Sequence, residues 1–542
     1  MLLGWISEQP WSNGKVGMYG KSWGGFNGLM VAYQKPPALS AVISLYSTGD
    51  LSLITNVLII VVLLDDRFED DIHWKGGCVL GGGMLSWAST MFCWDARPPH
   101  PQYNPKWKET WKQRLEAAGN SCLSTWLGHQ TYDQYWRHGS IKEKYDNIQI
   151  PVLSIGGWHD GYTNANLRMA KKLPNCKAII GPWSHNWPDT AIPGPNIAFM
   201  DECLQFWNEH LKGVPDQNQV KWQYTPRVRW FQCNGVIPPG PSVMTWPGQW
   251  QCDQEANGDS ARIVFTFSDD NKLCSLDSAS VKQLSRPITV PFSGSAGLFC
   301  GEWLSFGAPD LAGDQRHVAG QHGSWFSGPL KQDLHMFGQV EVTCQLEVQS
   351  AHVFVSLCHV MNTKGGGHRL LTYGVKDISG KNFGSDTNIH DVCIQLDVIG
   401  YTVPAGDGIL ILIGPGSFPT IWPTAQPGKI VVHSGNVSLP ICQLNTVQDG
   451  KLFAGADMVP RLGPEKNVEV LRKDSFNRDL QYSLSDDKVS HCKVKEISRS
   501  LSLSYREVSE SKQMRDVNTF LMLTLRLMKL MKMSTQLLVM IP

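Results

Sequence analysis

"GKVGMYGKSWGG", residues 14–25, admits two readings with different chemistry. Gly20-Lys21-Ser22 has the form of a phosphate-cradling loop. Gly20-Lys21-Ser22-Trp23-Gly24 also fits G-x-S-x-G, the sharp strand-to-helix turn that exposes a nucleophilic serine. A phosphate loop needs a glycine five positions before its Gly-Lys-Ser, so that successive N–H groups wrap the anion. That position is Lys15, and the glycines stand at 14 and 17. The serine turn suits its surroundings better. "KVGMY" reads as a short strand with Val16 and Met18 on one face, and "GGFNGLMVAYQ" begins a helix directly after the serine. Gly20 and Gly24 are expected to flank Ser22 where the turn leaves no room for side chains, and the Trp23 N–H to face an oxyanion.

The turn gains weight if an acid and a base follow in the order Ser, Asp, His, each just after a strand. "IPVLSIGGWHDGYTNANLRMAKKL" holds an apolar strand (Val152 to Ile155), a glycine loop carrying Asp160, then a helix. "CKAIIGPWSHNWPD" repeats the pattern with a strand from Lys177 to Ile180, a loop and His185. "IAFMDECLQFWNEHLKG" supplies the next helix, which Gly213 and Pro215 should end. Both polar residues then project from the carboxyl ends of parallel strands, where active sites of open α/β sheets lie. The catalytic assignment is Ser22 as nucleophile, His185 as general base and Asp160 as the acid that orients the imidazole. His159, adjacent to Asp160 on an extended segment, should point away from it. It reads as structural or substrate-proximal.

The totals limit the alternatives. The chain has 542 residues, enough for two or three domains, and 48 basic against 48 acidic residues. That balance favours neither nucleic acid nor an anionic membrane as partner. Twenty-one tryptophans with 51 glycines suit a loop-rich globular protein with aromatic-lined surfaces. The 14 cysteines include no C-x-x-C pair, which argues against structural zinc and a disulfide framework. Reduced thiols favour a cytoplasmic location. No cofactor or metal is expected. "LSLITNVLIIVVLL", Leu51 to Leu64, is too short to span a membrane and suits a buried strand. The final run from Phe520 reads as a tail, with an amphipathic surface helix as the alternative.

"VGMYGKSWGGFNGLMVA", "PVLSIGGWHDGYTNANLR" and "IIGPWSHNWPD" resemble the hydrolases that include cocaine esterase and the X-Pro dipeptidyl-peptidases, and "RHGSI" and "LQFWNEHLKG" add to the match. "TPRVRWFQCNG", "SGPLKQDLHMFGQVEVTCQLEVQSAHVFVSLCHV" and "GYTVPAGDGILILIGPGSFP" are similar to that family's carboxyl-terminal β domain. The resemblance runs from about residue 4 to 500. It implies an α/β hydrolase fold with a helical cap, followed by a β jelly roll. The implied layout is a nucleophile segment over 1–64, a cap over 65–139, a segment with Asp and His over 140–215, a jelly roll over 216–500 and a tail over 501–542. It also implies strands and an oxyanion-donating tyrosine ahead of the serine turn, whereas thirteen residues precede Gly14 here, so the hydrolase domain is read as N-terminally incomplete. Alternating runs such as "HMFGQVEVTCQLEV" independently suit a β-sandwich. Helices are expected over Pro105 to Ala118 and Asp133 to His138.

"DDRFEDD" brings Asp65, Asp66, Glu69, Asp70 and Asp71 close together. Such carboxylates could hold a substrate ammonium, with hydrated surface acids as the alternative. Asp70, Asp71 and Trp158 are the substrate-binding candidates. Three functions stay open: a dipeptidyl-peptidase acting beside proline, a carboxylesterase or acylase on small acyl compounds, and a non-catalytic binding module. The substrate is a peptide or small molecule.

Overall fold

Alternating Val16, Met18 and Gly20 form the first strand of the chain, β1 (Val16–Lys21), after a short helix, α1 (Leu2–Ser7). Ser22 alone separates β1 from α2 (Trp23–Tyr33), as the serine turn requires. This computed structural model describes residues 2–47, 72–117, 122–138, 141–213, 222–254, 261–275, 284–307, 310–348, 352–363, 366–378, 389–425 and 427–444, with the backbone of three strands between 468 and 496. The Leu51 to Leu64 strand, the acidic cluster from Asp65 to Asp71 including Asp70 and Asp71, Pro215 and the tail 501–542 lie outside the described residues.

After β2 (Leu39–Leu45) come a small hairpin, β3 (Trp74–Lys75) and β4 (Cys78–Val79), and four helices, α3 (Gly81–Asp95), α4 (Trp107–Ala117), α5 (Cys122–Gly128) and α6 (Gln134–His138). Two of these match the helices read at Pro105 to Ala118 and Asp133 to His138. Asp133 caps the latter by accepting the Tyr135 N–H at 2.9 Å. The chain then alternates: β5 (Val152–His159), α7 (Thr163–Lys172), β6 (Cys176–Ser184), α8 (Phe199–Trp207) and β7 (Val228–Asn234).

Strands β1, β2, β5, β6 and β7 lie side by side in that order, all parallel. Lys21 pairs with Leu45, Leu45 with Ile155 and Ile155 with Ile179, so the carboxyl ends form one edge. Both faces are covered, as a parallel sheet demands. Leu29 of α2 and Ala165 and Met169 of α7 bury Val42 and Val152 on one side. Phe199 and Phe206 of α8 bury Ile43, Ile155 and Ile179 on the other. Gly213 ends the α8 segment in the left-handed region, φ 71°, where glycine carries no Cβ penalty.

The structure lengthens one expected strand. The strand read as Lys177 to Ile180 continues to Ser184, because its pairing with β5 persists to His159 opposite Ser184. "TPRVRWFQCNG" reads in sequence as the start of the later half, but its strand β7 pairs parallel with β6 through Val228 and Trp230. Strand β7 thus extends the parallel sheet beyond β6.

Downstream strands are β8 (Gly248–Asp253), β9 (Ala261–Ser268), β10 (Lys272–Ser275), β11 (Ile288–Val290), β12 (Gly323–Phe326), β13 (Leu334–Val348), β14 (His352–Val360), β15 (His368–Asp377), β16 (Ile389–Val403), β17 (Gly408–Gly414) and β18 (Ile430–Ile441). Their long ladders are antiparallel, as in β13 with β16 and β14 with β17. Tyr401 and Thr402 of β16 pair parallel with Cys233 and Asn234 of β7, so hydrogen bonding runs on from the parallel sheet. Residues 1–459 form one compact unit and 460–542 another. In the second, β19 (Val468–Lys473), β20 (Arg478–Ser485) and β21 (Lys488–Glu496) make a separate antiparallel sheet.

Candidate active site

Ser22 sits at φ 56° and ψ −119°, a left-handed conformation that costs a residue with a Cβ of order 1–3 kcal/mol. Its N–H donates to the Leu45 carbonyl at 2.8 Å, and its carbonyl accepts the Phe26 N–H at 3.0 Å as the first bond of α2. The N–H groups of Trp23, Gly24 and Gly25 precede the helical ladder and carry the partial positive charge of the helix start. The Trp23 N–H thus belongs to the group an oxyanion would use. The Trp23 ring meets Trp87 of α3 edge-on at 5.4 Å, so α3 reaches the turn.

The two flanking glycines are not equivalent. A Cβ on Gly20 would collide with the backbone of Gly24, whereas a Cβ on Gly24 meets nothing within 4 Å. The expectation that both positions exclude side chains holds for Gly20 alone. Gly20→Ala should therefore destabilise the fold by about 1–3 kcal/mol through overpacking that only backbone movement can relieve. Gly24→Ala should stay close to the parent. Paired thermal melts check this, and equal melting temperatures for the two variants would refute it.

Asp160 and His185 follow the ends of β5 and β6 and meet directly. His185 Nδ1 donates to Asp160 Oδ2 at 2.5 Å, both side chains being buried. The second carboxylate oxygen, Oδ1, accepts the Tyr162 N–H at 2.8 Å. With Nδ1 as donor, Nε2 is the basic ring nitrogen. The His185 backbone is held as well. Its N–H donates to the Ser305 carbonyl at 2.7 Å, and its carbonyl accepts Lys21 Nζ at 3.2 Å. Tyr46, Tyr162 and Phe306 surround the imidazole at ring-centroid distances of 5.5, 6.0 and 5.6 Å.

His159 faces elsewhere. Its Nε2 accepts the Trp246 indole N–H at 2.9 Å with the rings stacked, and burial, aided by Arg369, lowers its pKa to about 3. It is a neutral packing residue. Trp158 donates its indole N–H to the Phe231 carbonyl at 2.7 Å and packs on Phe337. These contacts set the Trp158 ring among β5, β7 and β13.

Three features of the site escape a reading of the sequence. Lys21 counts there only as the variable position of the turn. Tyr46, at φ 46° after β2, has a buried hydroxyl with no hydrogen-bond partner among the described residues, and burial raises its pKa well above the ordinary phenol value. The segment Trp303–Phe306 reaches His185 from the antiparallel half, about 120 residues downstream, with no motif to mark it. Only the apolar character of "EWLSFG" signals it. A serine on a strained turn, orphan N–H donors and a buried His–Asp pair on one sheet edge are the elements of acyl transfer.

Residues 2–187 match the X-Pro dipeptidyl-peptidase (S15) family, and residues 221–454 match the X-Pro dipeptidyl-peptidase C-terminal non-catalytic domain. Cocaine esterase of Rhodococcus sp. (strain MB1 Bresler) is 23% identical over 252 residues, covering 39% of this chain and 41% of the esterase. The chain spans less than half the length of the curated relatives it matches. An aminopeptidase from a marine-sediment Thaumarchaeota archaeon superposes with a TM-score of 0.59 at 17% identity, over 82% of this chain and 79% of that one. A CocE/NonD family hydrolase from Staphylococcus aureus gives 0.55 at 13% identity, over 81% and 75%. At such identities the likeness is one of fold.

Proposed function

Since this chain belongs to the CocE/NonD-type X-Pro dipeptidyl-peptidase family, we propose that it is a serine hydrolase working through an acyl-enzyme on Ser22. The observation that carries the reading is the buried 2.5 Å hydrogen bond between His185 and Asp160, on the same sheet edge as the strained Ser22. Ser22 Oγ attacks the substrate carbonyl while His185 Nε2 takes its proton. The carbonyl oxygen, now an anion, is met by the Trp23 N–H; one such donor is worth ~2.7–4 kcal/mol in the transition state. His185 passes the proton to the leaving amine or alcohol, and the acyl group stays on Ser22. Water then attacks the ester, its proton going to His185 and from there to Ser22 Oγ. Asp160 keeps Nδ1 protonated throughout and stabilises the imidazolium.

The finer reading is a dipeptidyl-peptidase acting on a penultimate proline. In it α3–α6 form a cap whose Trp87 borders the serine turn, residues 216–500 form a jelly roll, and Asp70 or Asp71 takes the substrate ammonium. The 23% identity to a cocaine esterase favours a second reading, a carboxylesterase on small acyl compounds. A fluorophosphonate probe should label Ser22, and Ala-Pro-p-nitroanilide should be turned over faster than p-nitrophenyl acetate. The reverse preference selects the esterase. A folded chain that takes no label rejects both and leaves a binding module.

A further inference from the structure

The lysine of Gly20-Lys21-Ser22 loses its meaning when the phosphate loop is rejected, yet its side chain is committed. Lys21 closes β1, and β6 stands three places away in the sheet. Nevertheless its ammonium crosses the carboxyl edge and donates to the His185 carbonyl at 3.2 Å. It lies 5.4 Å from the ring centroid of Trp187 and 5.9 Å from that of Phe306, within cation–π range of both. The three contacts fall on His185, on the residue two positions after it, and on the downstream segment whose Ser305 also holds the His185 N–H. A solvated lysine would have none of them.

We infer that Lys21 is a positioning residue: its ammonium ties the nucleophile strand to the His185 loop and fixes the imidazole relative to Ser22. The inference rests on the proposed roles of Ser22 and His185. Proton transfer is sensitive to displacements well under 1 Å, so a loosened loop slows the chemical step with little effect on binding. Methionine keeps the bulk of the side chain and removes the donor and the charge. Arginine keeps both.

The ionisable group that acts on the ammonium is Asp160, just after β5, and His185 meets it through its backbone carbonyl. Burial lowers the Lys21 pKa from its ordinary value, and Asp160 opposes the shift. The charge is lost as pH rises through a midpoint below the usual lysine range. A neutral amine donates more weakly and has no cation–π attraction. The parent protein should show an alkaline decline that the arginine variant, whose charge does not titrate, lacks.

The test is the rate at which a fluorophosphonate modifies the full chain across pH, together with kcat and KM on the better of the two chromogenic substrates above. Lys21→Met is expected to slow labelling and kcat about tenfold or more with KM little changed, and Lys21→Arg to restore most of the rate without the alkaline limb. A Lys21→Met rate equal to the parent, or the same alkaline limb in parent and Lys21→Arg, overturns the inference. If Lys21→Met fails to fold, the limb comparison decides alone. Ser22→Ala separates the levels: label taken up without Ser22 defeats the proposed function itself, whereas loss of label there with an unchanged Lys21→Met defeats only the role of Lys21.

Discussion

Alanine at Ser22 is expected to lower kcat by about six orders of magnitude, and alanine at His185 by nearly as much, because the nucleophile and its base act as one unit. The double variant should be no slower than either single one. Asp160→Asn should cost about 10⁴-fold, since an amide beside Nδ1 favours the wrong tautomer. His159→Ala is the contrasting case. Its ring is neutral at physiological pH and accepts the Trp246 indole N–H, so its removal should leave most of the rate. Steady-state kinetics on purified, folded variants measure all five. A His159→Ala loss as deep as that of His185→Ala would mean that the base has been misassigned.

Glu202→Ala is expected to destabilise the 1–459 unit by about 3–5 kcal/mol. Glu202 on α8 and Arg229 on β7 form a two-pronged pair, Oε1 with Nη1 at 3.1 Å and Oε2 with Nη2 at 2.9 Å. Both side chains are only about 5% exposed or less. Removing the carboxylate takes a two-pronged partner from a buried guanidinium. Glu202→Leu combined with Arg229→Met leaves no buried charge and should recover much of the loss. Denaturant midpoints of the single and double variants provide the measurement. A single variant as stable as the parent would show that the pair is not isolated from water. The pair matters for function because α8 covers the sheet beneath the His185 loop, next to the last parallel strand.

The serine turn is legible in the sequence because its requirements are local. Glycine spacing, a short strand before Ser22 and a helix after it are properties of a dozen consecutive residues. The order Ser22, Asp160, His185, each after an apolar run, is legible for the same reason, and parallel strands bring such run ends to one edge. Which of two nearby histidines meets the acid is also foreseeable, since neighbours on an extended segment point apart; His159 does turn to Trp246.

Contacts between distant segments have no such local signature. The wider spacing around Gly24 than around Gly20, the pairing of β7 with β6, the end of the first unit at 459 and the approach of Ser305 to His185 depend on strand order and on how loops cross the sheet edge. Lys21 illustrates the limit. Sequence supplies a cation one residue before the nucleophile. Only the folded arrangement, which brings the His185 carbonyl just beyond β6 within 3.2 Å of that ammonium, decides what it touches.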